Sequence, residues 1–171
     1  MRPCPRVFPR LALLALFAGP AAAQTTPLPA AVTGIDLIEG WRRADGARVA
    51  AIAIRLAPGW HTYWRAPGLT GIPPRFDWSA SENLAAVAYE WPRPIVFDSF
   101  GSPTIGYKDA LVLPVILTPS APDAPLEASV EVFFGVCSDI CIPAEARLTA
   151  RLEPTAAPEG RAEIERALAA R

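Results

Sequence analysis

"SVEVFFGVCSDIC", residues 129 to 141, is the stretch whose reading decides the fold. Val130, Val132, Phe134 and Val136 alternate with Ser129, Glu131, Phe133 and Gly135. A period of two turns successive side chains to opposite faces of an extended strand. Ser138, Asp139 and Ile140 then make a three-residue connection, and Cys141 opens the next run. The spacing predicts a hairpin with Cys137 and Cys141 facing each other across its end. Opposed residues of an antiparallel pair have Cα atoms about 4.5–5.5 Å apart, a separation that a disulfide bridges.

Outward from this hairpin the same kind of segment recurs. "IDLIEGW" (35–41), "ARVAAIAIRLA" (47–57), "RFDW" (75–78), "LAAVAYEW" (84–91), "ALVLPVIL" (110–117), "LEASVEVFFGV" (126–136) and "ARLTARLE" (146–153) are strand-length runs set between turn signals. Prolines gather between them, as in "GIPPR", "EWPRPI" and "TPSAPDAP", where loops accept them. Pro114 lies inside a run and predicts an edge strand or a bulge there. The pattern is all-β, an antiparallel sandwich of immunoglobulin type. Long amphipathic helical patterns are missing, which argues against a thioredoxin fold. Only "EGRAEIERALAAR" (159–171) has helical spacing, with Ile164 and Leu168 four apart, so a short C-terminal helix is expected.

The N-terminus reads as a secretory signal. Arg2, Arg6 and Arg10 precede an apolar run, Leu11 to Ala18, and Ala21-Ala22-Ala23 forms an A-x-A cleavage site. That run is far short of the roughly 20 residues needed to span a bilayer. The expected organisation is a signal peptide (1–23), a flexible leader (24–34), one sandwich domain (35–153) and a tail (154–171), in an exported, periplasmic protein. Cys4 leaves with the signal. Removing its three arginines from the 16 basic residues leaves 13 against 17 acidic ones. Such a balance excludes a nucleic-acid or anionic-membrane binder by charge.

Two cysteines remain, and three readings of them stay open. As a structural staple, a bond closing a five-residue loop restricts the unfolded chain by only ~2 kcal/mol. As a metal site, two thiolates could hold Cu(I), but closed zinc sites want four Cys or His ligands, and His61 is the chain's one histidine. As a redox pair, a hairpin end is open to the in-line attack that thiol exchange requires. No C-x-x-C-H, Walker, G-x-S-x-G or H-E-x-x-H motif is present, so no cofactor or resident metal is expected.

Three separated motifs, "GWHTYWRAPGLTGIPPRFDW" (59–78), "FDSFGSPTIGYKDALVLPV" (97–115) and "VCSDICIPAEA" (136–146), resemble the N-terminal periplasmic domain of the disulfide reductase DsbD, and most of all the branch that includes the copper-tolerance protein ScsB. The similarity runs over roughly residues 35 to 153. It implies an immunoglobulin-like sandwich that relays electrons through Cys137 and Cys141, as a protein-disulfide reductase does. Cys141-Ile142-Pro143 matches the family's interchange cysteine, which makes Cys137 the resolving thiol. "FDSFG" stands at the family's cap loop, so Phe97, Asp98 and Phe100 are expected to shield the sulfurs. Ser99 departs from the aromatic pair usual there. His61 and Tyr63 match positions lining the site, where His61 could favour a thiolate beside it. The partners implied are thioredoxin-like periplasmic proteins and a separate membrane electron transporter. Trp60, Trp64, Trp78 and Trp91 are expected to serve packing.

Overall fold

The computed structural model describes residues 27–99, 101–154 and 160–171. The expected signal peptide and Phe100 lie outside the described residues. Ten strands and one helix follow in chain order: β1 (Val32–Arg42), β2 (Arg48–Leu56), β3 (His61–Tyr63), β4 (Arg75–Asp77), β5 (Leu84–Tyr89), β6 (Ile95–Ser99), β7 (Ser102–Lys108), β8 (Ala110–Pro119), β9 (Leu126–Cys137), β10 (Cys141–Leu152) and α1 (Arg161–Ala169). One antiparallel sheet has the order β1-β2-β8-β5. The other has the order β10-β9-β3-β7-β6, with β4 also paired to β9. The architecture is an immunoglobulin-like β-sandwich with one short C-terminal helix.

Alternation along β9 does what its period requires. Leu126, Ala128, Val130, Val132, Phe134 and Val136 are buried against Ile52, Ile54, Leu111, Leu113, Val115 and Leu117 of the facing sheet. The nearly continuous apolar character of β2 and β8 has a separate cause. Their second face carries Val49, Ala51, Val112 and Ile116, and α1 covers it. Ile164 on that helix is fully buried, worth about 1.5–3 kcal/mol of apolar transfer. Trp60, Trp64, Trp78 and Trp91 are partly buried against the main core.

Two expectations need correction. The leader expected to reach residue 34 ends earlier, because Val32 already pairs with Leu56 and Ala31 is buried in the core. Pro114 was expected at an edge or a bulge, yet β8 is internal, between β2 and β5. Its carbonyl accepts a bond from the Glu90 N–H, just past the end of β5, and the ring nitrogen faces the same side. The missing donor therefore falls at the last step of the β5 pairing, where only the reciprocal bond to the Glu90 carbonyl is forgone, and the β2 side of the strand is untouched.

β3, β6 and β7 were not among the expected strands. β3 and β4 lie end to end along the same side of β9, and the chain between them makes an excursion over the outer face of the sheet. Gly135 makes room for the excursion, and Gly106 for the close approach of β7 to β3. A Cβ on Gly135 would lie 2.6 Å from the Ile72 Cβ of the excursion, and one on Gly106 would lie 2.1 Å from the Thr62 carbonyl oxygen. The Thr62 contact is backbone and cannot yield. Gly106→Ala should therefore lower stability by about 1–3 kcal/mol, read as a fall of several degrees in Tm for the oxidised protein. An unchanged Tm would mean that β3 and β7 separate without cost.

Candidate functional site: a cystine on the outer face of the sheet

Register builds the site. Cys141 lies opposite Cys137 across the β9–β10 pair, and His61 lies opposite Cys137 on its other side, across β3–β9. Directly opposed residues point to the same face. Because Val136 points into the core, this row points away from it. Tyr63, two residues beyond His61, shares the same face.

The two cysteines are bonded, with Cα atoms 4.2 Å apart. Their surroundings differ. Cys137 is fully buried, at 0% exposure, while Cys141 is exposed. Within the connecting turn the Ser138 N–H donates to the Ile140 carbonyl at 3.0 Å, and the Ile140 side chain is 60% exposed between the two cysteines.

Tyr63 is fully buried and its hydroxyl touches both sulfurs. It donates to Cys137 Sγ at 2.7 Å and lies 3.3 Å from Cys141 Sγ. Burial pushes the Tyr63 phenol up, with Ser99 beside it a smaller opposing influence. The phenol therefore keeps its proton and remains a donor. Behind it the Thr62 hydroxyl donates to the Gly135 carbonyl at 2.9 Å, tying β3 to β9 at this point.

His61 is 7% exposed, and its Nε2 is buried without a hydrogen-bond partner. Its ring meets Tyr63 edge-on, with centroids 5.4 Å apart, and Phe97 at 4.6 Å. Burial, and next the Lys108 ammonium opposite it on β7, hold the imidazole below the usual histidine range. His61 is therefore neutral at pH 7.

The β6–β7 hairpin brings its tip to the cysteine turn. Phe97, Asp98 and Ser99 line one depression with His61, Lys108, Ser138 and Asp139, about 570 Å³ in volume. The tip is closed by the Gly101 N–H donating to Asp98 Oδ1 at 3.1 Å, with Gly101 at φ +76°. The Lys108 ammonium stands 5.5 Å from the Phe97 ring centroid. Cys137, Cys141, His61, Tyr63, Phe97 and Asp98 are thus brought together. Phe100 lies outside the described residues. Ser99, within the expected cap segment, lines the depression too, and so does Lys108, a position the sequence reading did not give it. Lys108 could have been found from the alternation Thr104, Gly106, Lys108 once that segment was taken as a strand.

Fold and site define a β-sandwich that carries a cystine at a hairpin end, half buried and half exposed. Over residues 36–153 the chain matches the family described as "Thiol:disulfide interchange protein DsbD, N-terminal". It belongs to that family. Among solved structures it is similar to the N-terminal periplasmic domain of ScsB from Proteus mirabilis, with 31% identity and a TM-score of 0.62, covering 77% of this chain and 51% of that one. The chain therefore spans about half the length of that domain. The Neisseria meningitidis DsbD N-terminal domain in its reduced form matches at 15% identity and a TM-score of 0.39, covering 75% of this chain and 90% of the other. No curated protein matches the chain. No helix among the described residues is long and apolar enough to cross a membrane.

A hydroxyl that donates to a sulfur favours its thiolate form once the bond is opened. Tyr63→Phe removes that donor and keeps the ring. In the reduced protein it should move the Cys137 thiolate titration to higher pH, because one hydrogen bond to the charged form is lost, measured by thiolate absorbance in a Cys141→Ala background. An unmoved titration would mean that the Tyr63 contact does not persist after reduction.

Proposed function

We propose that this protein is a periplasmic thiol-disulfide interchange protein, which passes reducing equivalents through Cys137 and Cys141 by way of mixed disulfides. The observation that carries this reading is the asymmetry of the pair: Cys141 is exposed and Cys137 is completely covered. Exchange proceeds by attack of an outside thiolate along the axis of the S–S bond, so the residue open to solvent is the one a partner meets. Cys141 is then the interchange residue, and Cys137 is released on reduction and closes the bond again afterwards.

Family membership supports the same chemistry, and the basic, apolar leader of residues 1–23 supports export. The partners that fit are thioredoxin-like periplasmic proteins, with a membrane thiol transporter as the source of electrons. Phe97, Asp98 and Ser99 act as the cover that a partner displaces or docks against, since they share one depression with the cysteine turn. A purely structural role is disfavoured by magnitude: a bond that closes so short a loop supplies only ~2 kcal/mol.

Cys137→Ala should trap the intermediate. Mixed with a thioredoxin-like protein, it is expected to yield a disulfide-linked adduct through Cys141, resolved by non-reducing electrophoresis and peptide mapping. Cys141→Ala should yield almost none, because Cys137 is covered. Equal trapping by both variants, or none by either, would overturn the assignment.

A further inference from the structure

We propose that His61 is the base that deprotonates the Cys137 thiol, so that the buried cysteine can attack the mixed disulfide held on Cys141. The proposal rests on the interchange reading given above and assigns a further role within that site.

The need for such a base follows from burial. To close the bond again, Cys137 must attack as a thiolate. At 0% exposure its sulfur cannot pass a proton directly to bulk water. A protein group has to take it.

His61 is placed for this on three counts. It sits directly opposite Cys137 on β3, with both side chains on the outer face, and Cβ atoms of opposed residues lie about 4.5–5.5 Å apart. Its Nε2 is buried and unbonded while the cystine is closed. A buried orphan of this kind costs about 1–3 kcal/mol and calls for an explanation. A cystine has no S–H to offer it, whereas a reduced Cys137 does. Third, burial and Lys108 hold the imidazole neutral, the form that accepts a proton.

The groups facing His61 from each neighbouring element are Lys108 on β7, Phe97 and Asp98 on β6, Cys137 with the Ser138-Asp139 turn after β9, and Tyr63 on its own strand. Tyr63 keeps its own proton and donates to Cys137 Sγ. It can stabilise the thiolate but cannot serve as its base.

The step balances as follows. The Cys141 thiolate attacks a partner's disulfide, forming the mixed disulfide and releasing one partner thiolate. The Cys137 thiol then gives its proton to His61 and attacks Cys141 Sγ. The intramolecular S–S bond forms, the bond from Cys141 to the partner breaks, and the second partner thiolate departs. The partner's disulfide has gained two electrons and the cysteine pair has lost them. The imidazolium returns its proton to the departing thiolate or to solvent.

A stopped-flow reaction of the reduced protein with dithiobis(nitrobenzoate) separates the two events. The first equivalent of coloured thiolate appears at a rate proportional to reagent, from attack by Cys141. The second appears at a rate independent of reagent, from resolution by Cys137. Cys137→Ala should release the first equivalent only.

His61→Gln, which keeps polarity but cannot act as a base at neutral pH, should slow the second phase at pH 7 by about a hundredfold, the low end of general-base effects. It should also make that phase climb with pH across the thiol range. In the wild-type protein the second phase should stay flat down to below pH 6.5, the ordinary histidine value from which His61 is lowered, and then fall. Lys108→Gln removes the neighbouring charge and leaves His61 in place, so the acid fall should move to higher pH. These results would support the role.

A second phase in His61→Gln with wild-type rate and profile would overturn it, as would equal slowing of both phases or an acid fall unmoved in Lys108→Gln. Failure of the interchange reading looks different: both phases and their His61 dependence would be present, yet Cys137→Ala would trap no thioredoxin-like partner.

Discussion

Everything at this site depends on the register of three strands. Pairing across β10, β9 and β3 sets Cys141, Cys137 and His61 in one row on the outer face of the sheet. Because the side-chain period is two, a slip of one residue along β9 would turn Cys137 into the sandwich and Val136 out of it. The register is held by six buried side chains on the other face of β9, from Leu126 to Val136. The disulfide does not impose this geometry. It forms because the core has already placed the two sulfurs opposite each other.

The same face is covered without becoming part of the core. The excursion between β3 and β4 seats Ile72 over Gly135, and the β6–β7 tip approaches from the other side. Tyrosines elsewhere in the fold find partners in the usual way. Tyr107 donates to the Pro92 carbonyl, and Tyr89 accepts from Trp78 Nε1. Among the described residues, buried side-chain atoms without partners occur at Arg48, His61, Trp64 and Ser99, of which His61 on β3 and Ser99 on β6 line the depression beside the cysteine turn. Unpaired buried polar atoms work against stability. The two at His61 and Ser99, which share the depression beside the cysteine turn, mark a place not shaped by packing alone.

The sequence made the hairpin legible because its two cues agree: β9 alternates strictly, and three residues between cysteines suit a hairpin end. β2 and β8 were equally plain, although their double-sided apolarity could have been taken for a buried helix. What escaped was short or compromised. β3 has three residues and is buried on both faces, so it has no polar face to alternate with. β6 exposes Ile95 and Val96, which weakens its pattern, and β7 carries Pro103 and Gly106. Pro114 misled because propensity records that a strand lost a donor, whereas the sheet determines where that loss falls, here on the last bond of the β5 pairing. The cysteine pair, His61 and Tyr63 could be named from motifs. The hairpin spacing also brought the two cysteines together, whereas the nearness of His61 and Tyr63 to them came only from the family resemblance, because it arises from pairings such as Tyr63 with Cys137, 74 residues apart in the chain.

Opening the cystine need not disturb the fold that carries it. The main core lies between the sheets, on the face opposite the sulfurs, and α1 closes the far side of the other sheet. Reduction removes a five-residue constraint worth only ~2 kcal/mol and leaves the β9 and β10 ladder running from Leu126 to Leu152. The groups that must respond are local: a phenol already bonded to the buried sulfur, an imidazole with a vacant nitrogen, and the Ser138–Ile140 turn. A disulfide can be opened at little cost to a fold where this separation holds, with the core on one face of a strand and the sulfurs on the other. The alternation of β9, core residue against site residue down to Val136 and Cys137, provides it.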